Sequence, residues 1–409
     1  MAIDYNTGTN TMELPDEPDD IDMLDDNYDV RIKVWGVGGG GGNAVEYMAK
    51  NGIGGVDYIA VNTDVPALKN KDKKLMKRLQ IGKKRTRGRG AGGNPEVGCE
   101  SAQEDKQIIE GKLEGTAMAF ISAGMGGGTG TGAAPVIAEI SKSLGILTIG
   151  VVTKPFDFER QQKMNAALKG IAEMRKHVDA LIIIPNQKLL SVNEQGMNIK
   201  AAFEMVDNVL YKVVKSISEL LNNTSYINVD FADLESVLKD SGDAHIAIGT
   251  GTGDDKAEEA VQQIINSPLL ETSIDNAGKI LVHVTMSNDS DLTDMDAVID
   301  KLTAAAHPDV EVISGCELVE DMKDTLIVTV VATSFQGSGS GRAAQTSSKF
   351  FVSEPINSGN TQQLQDARSV FAAGAGEATR SDDSLGRFIT QNLDIDDDPY
   401  QALEEIFRK

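Results

Sequence analysis

The sequence predicts an α/β domain with a parallel sheet, joined by a long helix to a smaller α+β domain with a mixed sheet. Three observations support this prediction. Short apolar runs rich in Val and Ile alternate with segments of helical periodicity from Arg31 onward. A single long amphipathic run, 201–222, follows them. Beyond that run, strand-like segments and helices alternate in a shorter second region that extends to about residue 334.

The first domain is predicted to span 30–200. Its apolar runs are nearly continuous, which suits parallel strands that are buried on both faces and connected by helices. The predicted strands are 32–37, 56–61, 117–122, 146–152 and 180–185. The predicted helices are about 43–51, 97–112, 133–143 and 161–177.

A central helix, predicted at 201–223, separates this domain from a second one at 224–334. The helix carries an apolar stripe formed by Phe203, Val206, Val209, Leu210, Val213, Val214 and Ile217. The second domain has predicted strands at 245–251, 279–286, 310–315 and 325–333. Its predicted helices are near 254–266 and 293–306.

Both ends of the chain differ from the body in composition. Residues 1–29 contain ten acidic residues and no Lys or Arg, which predicts a disordered acidic arm. Gly, Ser, Ala, Thr and Gln dominate 335–391, the composition of a flexible linker. Apolar residues return within 392–409, where Leu403, Ile406 and Phe407 share one helical face. This segment is either a docking peptide or a frayed terminus without a partner.

The charge and the apolar pattern exclude several classes of protein. A formal net charge of −23 argues against nucleic acid and anionic membrane surfaces as partners. The sequence shows neither a secretory signal nor a membrane-spanning run, so we expect a cytoplasmic protein without direct membrane insertion. The two cysteines, Cys99 and Cys316, lie far apart in the sequence, which argues against a disulfide framework or a zinc site.

One basic segment, 71–90, stands out in this acidic chain. Its simpler interpretation is a solvated loop face. The alternative is that part of it faces an anionic ligand or an acidic neighbouring subunit.

Two glycine-rich turns follow two strands of the first domain. The first, GVGGGGGNA at 36–44, fits the GxGxxG pattern that places a pyrophosphate on a helix N-terminus. The second, SAGMGGGTGTGAAP at 122–135, has six glycines among the nine residues 124–132. Backbone N–H groups in such loops converge on anionic oxygens, Thr129 and Thr131 add hydroxyls, and Pro135 is expected near the first turn of the next helix. Two such turns predict a ligand with several phosphates.

The second glycine-rich turn closely resembles the signature loop of the tubulin/FtsZ family. Further segments resemble that family in the same order along about 31–333, whereas both tails diverge. These segments are IKVWGVGGGGGNAV, IAVNTD, GAGGNPEVG, VVTKPFDFE, IPNQKLL, NVDFADL and SPLLETSIDNAGKILVHVT. The resemblance implies a Rossmann-type parallel-sheet GTPase domain, a central helix and a smaller mixed-sheet domain.

The resemblance also implies the ligands and the residues that contact them. The ligand is GTP or GDP with Mg²⁺, which is held mainly by the phosphates and not by predicted protein ligands. The implied nucleotide-contacting positions in the loops are Gly39, Gly40, Gly41, Gly42, Asn43, Ala91, Gly92, Gly93, Asn94, Gly124, Gly126, Gly127, Gly128, Thr129, Gly130, Thr153 and Asn186.

Two residues of the central helix match the family's guanine contacts. A guanine base offers N1–H and N2–H₂ as paired donors, which the carboxylate of Asp207 could accept, and Phe203 would lie against the base. From the sequence alone, Phe203 could equally be an ordinary core residue, and Asp207 a solvated helix acid. Glu159 matches the ribose-side acid. Lys163 stands where the family usually has arginine. A lysine at this position lacks the planar guanidinium fork.

Asp230 and Asp233 match the family's hydrolytic acids, which one subunit inserts beside the γ-phosphate of its neighbour, with Asn228 in support. Their alternative interpretation is a helix cap and a first-turn acid that the helix dipole stabilises.

The resemblance therefore implies a GTPase that polymerises head to tail and forms the division-ring scaffold at mid-cell. Membrane-tethering and division proteins would bind its C-terminal peptide. Two alternatives remain open: an NAD-dependent oxidoreductase that uses GVGGGG at 36–41, and a structural paralogue that binds GTP without hydrolysing it.

Overall fold

The computed structural model describes residues 30–190, 198–222, 229–267, 274–287, 290–319, 322 and 324–335. The predicted acidic arm, the docking peptide, Asn228 and all of the predicted linker except Phe335 lie outside these residues. Of the helices within them, none combines the length and the apolar character needed to cross a membrane.

The described residues form ten strands and twelve α-helices. The strands are β1 (Ile32–Val37), β2 (Val56–Asn62), β3 (Lys77–Gln80), β4 (Met118–Gly124), β5 (Leu147–Lys154), β6 (Ala180–Pro185), β7 (Gly242–Thr252), β8 (Lys279–Ser287), β9 (Glu311–Val319) and β10 (Thr325–Thr333). The helices are α1 (Gly38–Asn51), α2 (Val65–Lys69), α3 (Lys83–Thr86), α4 (Pro95–Glu104), α5 (Lys106–Leu113), α6 (Thr129–Ser143), α7 (Gln161–Met174), α8 (Asn186–Leu190), α9 (Ile199–Asn222), α10 (Phe231–Leu238), α11 (Lys256–Ile265) and α12 (Leu292–Ala305).

The predicted parallel sheet of the first domain is confirmed. Its strands lie in the order β3-β2-β1-β4-β5-β6, and every neighbouring pair is parallel. Helices connect strands of the same direction, so the loops that follow β1, β4, β5 and β6 all emerge at the carboxyl edge of the sheet. Most of the predicted glycine, threonine and asparagine contacts lie at this edge, at the ends of these strands or in the connections and first helical turns that follow them.

The second sheet is mixed, as predicted, but it is continuous with the first. The first residues of β7, from Gly242, pair in parallel with β6, while His245 to Thr252 pair antiparallel with β10. β8 is antiparallel to β10, and β9 is parallel to β8. The sequence predicted α9 as the spacer between two domains, whereas the structure shows that β7 also joins them. β7 has eleven residues, which makes the strand long enough to pair with both β6 and β10.

The predicted amphipathic helix is confirmed as α9. Its apolar stripe faces the core, where it packs with residues of α1 and the sheet. The stripe residues that are fully buried are Val206, Leu210, Val213, Val214 and Ile217. Phe203, by contrast, is 41% exposed.

Two helices begin earlier than predicted, at glycine-rich positions. α1 begins at Gly38 and not near 43, and α6 begins at Thr129 and not near 133. Glycine has low helix propensity, which is why the sequence placed these residues in loops. Pro135 therefore lies inside α6 and not near its first turn.

The predicted helix 97–112 is two helices, α4 and α5, which break at Asp105. The Asp105 carboxylate accepts a hydrogen bond from the Gly82 N–H at 2.7 Å. This contact, between residues distant in sequence, explains a break that the local pattern did not predict. The short elements α2, β3, α3 and α8 were also not predicted as helices or strands.

Gly132 allows α4 to pack tightly on α6. A Cβ at Gly132 would collide with the Pro95 carbonyl oxygen and would lie 2.7 Å from the Cys99 backbone nitrogen. We expect Gly132→Ala to lower the free energy of unfolding by about 1–3 kcal/mol, the usual effect of overpacking a core. Urea unfolding measures this loss. A matched control is Gly111→Ala at an exposed position of α5, where a Cβ meets no described atom within 4 Å; this variant should gain about 0.5–1 kcal/mol of stability. Equal stability of the two variants would contradict this account of the packing.

Candidate functional site

The two glycine-rich turns lie side by side and touch. They follow β1 and β4, which are neighbours in the sheet. A Cβ at Gly38, where φ is +77°, would lie 2.7 Å from the Gly130 nitrogen, and a Cβ at Gly40 would lie 3.4 Å from the Gly124 Cα. A Cβ at Gly41 would come closer still and collide with the carbonyl oxygen of Ser122. Glycine at these positions thus allows two backbone segments to pack together.

Other glycines of the same region face open space. A Cβ at Gly39, Gly127, Gly92 or Gly93 would meet no described atom within 4 Å. Neither α1 nor α6 has a side-chain cap at its N-terminus. The first N–H groups of a helix have no partner within the helix, and the positive end of the helix dipole lies there. This combination suits the binding of anionic oxygens.

A third loop, 87–94, borders the same space. Gly90, Gly92 and Gly93 adopt positive φ values. A Cβ at Gly128 would lie 2.8 Å from the Ala91 Cβ and 2.9 Å from the Asn94 nitrogen, so this loop packs directly on the second glycine-rich turn. The Asn94 Oδ1 accepts a hydrogen bond from the Glu96 N–H at 3.0 Å and caps α4.

The threonine hydroxyls predicted near the phosphates also shape the loops. The hydroxyls of Thr129 and Thr63 are hydrogen-bonded to each other at 2.7 Å, and Thr131 Oγ1 accepts from the Gly126 N–H at 2.8 Å. Thr153 is buried, and its carbonyl accepts the Met125 N–H at 3.0 Å. A Cβ at Gly126, where φ is +105°, would lie 2.9 Å from the Lys163 carbonyl oxygen, which ties this turn to α7.

Three aromatic rings cluster where α9 meets the loop after β5. The Phe203 ring is perpendicular to that of Phe156, with centroids 5.2 Å apart, and Phe158 stacks on Phe156 at 5.2 Å. Phe158 is 56% exposed and Phe156 is buried. The sequence prediction included Phe203 but missed the other two rings. The sequence feature that could have identified these two rings is the FDF run within the VVTKPFDFE segment.

Asp207 and Asn186 are polar side chains held largely out of water. The pKa of Asp207 is raised to about 7, mainly by burial; the Lys71 charge opposes this rise, and the Glu204 and Glu46 carboxylates add to it. Asn186 is 4% exposed, and its Oδ1 has no hydrogen-bond partner among the described residues. A buried acceptor without a partner costs about 1–3 kcal/mol, so this oxygen is available for a ligand.

Glu159 and Lys163 bind each other. Lys163 Nζ lies 2.8 Å from Glu159 Oε2, and Glu159 Oε1 accepts from the Phe156 N–H at 3.2 Å. The lysine at this position therefore holds the acid within the loop that carries the aromatic rings.

Lys71 is a further residue of the site, which the sequence prediction did not identify. Its side chain is 12% exposed and donates to Asn43 Oδ1 at 2.6 Å and to Glu46 Oε2 at 2.9 Å. It lines a pocket together with Gly38, Gly39, Gly42, Asn43 and Asn62. The only sequence feature that pointed to Lys71 was its position in the basic segment 71–90. One of the two interpretations of that segment was that part of it faces an anionic ligand or an acidic neighbouring subunit.

Asp230 and Asp233 lie at the start of α10, which ends at the opposite edge of the sheet. Asp230 caps α10, and its Oδ1 accepts from the Asp233 N–H at 2.7 Å. Both residues are exposed. α10 leads into β7, whose Gly242 pairs with Ala180, the first residue of β6. The amino ends of parallel strands lie opposite the carboxyl edge where the glycine loops are found. The structure thus brings the loop residues together and keeps these two acids apart from them.

Comparisons with known proteins concern the family and the fold. Residues 31–194 match the GTPase domain of the tubulin/FtsZ family, and residues 242–336 match the C-terminal domain of the FtsZ family. The chain is 48% identical over 303 residues to a cell division protein FtsZ of Buchnera aphidicola (subspecies Schizaphis graminum), which covers 74% of this chain and 78% of that protein.

Solved structures show the same fold. An empty FtsZ dimer from M. jannaschii is 39% identical, with a TM-score of 0.71, over 78% of this chain and 92% of that one. A GTPγS-bound protofilament of CetZ2 from Haloferax volcanii is 20% identical, with a TM-score of 0.63, over 74% of this chain and 92% of that one, which shows the fold alone.

Proposed function

Because this chain belongs to the FtsZ family of tubulin-like GTPases, we propose that it assembles head to tail with GTP and forms the division-ring scaffold. Each nucleotide would be hydrolysed at the interface between two successive subunits. The observation that carries this proposal is the separation of two functional ends. Uncapped helix N-termini and open glycines lie at the carboxyl edge of the sheet, and exposed Asp230 and Asp233 lie at the other edge.

GTP binding is assigned to the first domain, predicted as 30–200. The phosphates would be bound by N–H groups of the open loops, the positions being Gly39, Gly40, Gly41, Gly42, Ala91, Gly92, Gly93, Asn94, Gly124, Gly126, Gly127, Gly128, Thr129 and Gly130. The guanine would lie against Phe203 and donate its N1–H and N2–H₂ groups to Asp207. Asn43 and the unpartnered oxygen of Asn186 would make further contacts, with Thr153, Glu159 and Lys163 on the sugar side.

Mg²⁺ suits this site as an ion carried by the nucleotide. No cluster of three or more His, Cys, Asp or Glu side chains that could hold a metal occurs within the described residues. Mg²⁺ prefers oxygen ligands and keeps several waters in nucleotide sites, so the phosphates would be its main ligands. When bound, it would neutralise charge that develops on the transferred phosphoryl group.

Asp230 and Asp233 would orient and polarise the attacking water on the neighbouring subunit's γ-phosphate. Phosphoryl transfer requires mainly positioning and charge compensation, which surface carboxylates can supply once a second subunit is docked. Asn228 would support them. The cap that Asp230 provides to α10 holds this helix end in place and is compatible with the catalytic role.

The location and partners of the protein follow from the same proposal. The polymer would act in the cytoplasm at the mid-cell septum. Membrane-tethering and division proteins would bind the C-terminal peptide, 392–409, at the end of its long linker.

A shared active site predicts that turnover depends on protein concentration. We expect the rate of GTP hydrolysis per molecule to be near zero in dilute protein and to rise steeply where polymers sediment. Phosphate release, followed alongside sedimentation in GTP and in GDP, measures both. A rate per molecule that is the same in dilute and concentrated protein would contradict the two-subunit site. Hydrolysis without sedimentation would contradict the polymer.

A further inference from the structure

Lys71 occupies an unusual position for a lysine. Its ammonium group is largely buried beside the first glycine-rich turn, whereas the side chain of Lys73, two residues on, is exposed. Burying a charged amine is unfavourable unless it is paired and hydrogen-bonded. Lys71 has such partners in Asn43 and Glu46, both on α1.

The first consequence concerns the orientation of Asn43. The Lys71 ammonium can only donate, so the Asn43 atom 2.6 Å from it is the carbonyl oxygen. The amide NH₂ of Asn43 is then the group that remains for a ligand. Asn43 is exposed at the rim of the pocket that Lys71 also lines. The lysine therefore presents Asn43 to the nucleotide as a donor.

The second consequence concerns Asp207. Three charged groups act on its carboxyl: Glu46 of α1, Glu204 of α9 and Lys71 of the α2–β3 connection. Both glutamates disfavour the ionised form, as does burial, and Lys71 is the one charge among them that favours it. Because the pKa of Asp207 lies at about 7, a modest change in these charges alters its ionisation near neutral pH.

The ionisation of Asp207 matters for base selection. A carboxylate offers two acceptors, which match the paired donors N1–H and N2–H₂ of guanine. A protonated carboxyl offers one donor and one acceptor, which match N1 and the N6 amine of adenine. We propose that Lys71 is a positioning residue for base specificity, which orients the Asn43 amide and keeps Asp207 in the form that accepts guanine. This inference rests on the proposed binding of a guanine nucleotide at the site.

The test compares GDP and ADP binding by calorimetry in the full-length protein, from about pH 6 to about pH 8.5, across the region where Asp207 titrates. The variants are Lys71→Met, the charge-conserving Lys71→Arg, and the exposed control Lys73→Met. The wild-type protein and Lys73→Met should lose GDP affinity as the pH falls through about 7. Lys71→Met should move this midpoint to higher pH, weaken GDP binding about tenfold near neutrality, and narrow the preference for GDP over ADP. Lys71→Arg should have a pH midpoint for GDP binding close to that of the wild-type protein.

Glu46→Gln is a second variant, with the opposite expected sign. Removing the Glu46 charge should move the midpoint to lower pH, because that charge raises the pKa of Asp207. This variant tests whether the charges around Asp207 control its ionisation, even if Lys71→Met does not fold. A Lys71→Met protein that is folded and has the wild-type midpoint and GDP/ADP ratio would overturn the inference. So would a Glu46→Gln midpoint that is unchanged or raised. Failure of the wild-type protein to bind GDP would instead overturn the proposed function.

Discussion

Asp233→Ala is expected to lower GTP turnover by about 100-fold or more, the usual contribution of a residue that activates a reacting water. GTP binding and polymer sedimentation should be retained. Asp233 lies on the surface of the first turn of α10, and its backbone N–H, not its carboxylate, makes the capping bond to Asp230. Removing the carboxylate therefore leaves the cap intact. Phosphate release and sedimentation, measured in parallel, separate the two effects.

A matched control lies on the same helix. Glu235 forms a surface ion pair with Lys239 at 2.6 Å, and Glu235→Ala should change turnover little, because such pairs contribute about 0–1 kcal/mol. Asp230→Ala would not separate catalysis from stability, because it also removes the cap of α10 at a cost of about 1 kcal/mol in stability. Turnover in Asp233→Ala at the wild-type level would remove this residue from the proposed mechanism.

Gly39→Ala is expected to weaken GTP binding without destabilising the fold. A Cβ at Gly39 meets no described atom within 4 Å, so the methyl group would clash with nothing in the protein and, under the proposed binding mode, would crowd the phosphates. Crowding there should cost about 1–3 kcal/mol of binding, which is about 5- to 150-fold in Kd. Calorimetric titration with GDP and urea unfolding measure the two quantities separately.

Its neighbour Gly38 provides the contrast. Gly38→Ala should lose stability as well as binding, because φ is +77° there and the methyl group would lie 2.7 Å from the Gly130 nitrogen. Gly111→Ala, far from the turns, should bind GDP normally. Wild-type affinity in Gly39→Ala would mean that the phosphates do not approach this turn.

Mixing two variants tests the shared site directly. Asp233→Ala keeps its nucleotide pocket, and Gly39→Ala keeps its acids. If hydrolysis occurs between subunits, the mixture should turn over GTP faster than the sum of the separate proteins. No gain in a mixture that co-sediments would indicate that each active site is contained within one subunit.

The strands and the long helix could be predicted from the sequence because their signals are local. Continuous Val- and Ile-rich runs predicted β1 and β6 with the correct bounds, and 3.6-residue periodicity predicted α9 to within two residues at its start. The starts of α1 and α6 were missed because glycine favours a loop locally, and packing between the two turns determines the helical conformation. The division of α4 from α5 depends on a contact between Asp105 and the distant Gly82.

From the residues, the two glycine-rich turns predicted a phosphate-binding site; from the family resemblance, Asp207, Asp230 and Asp233 were proposed as guanine-binding and hydrolytic acids. How these residues are arranged depends on the tertiary structure. It packs the turns after β1 and β4 against each other, buries Lys71 beside Asn43 and Glu46, and places Asp230 and Asp233 at the far edge of the sheet. The physical reason is that strand order, burial and charge environment arise from contacts between distant segments, which no local pattern of residues encodes.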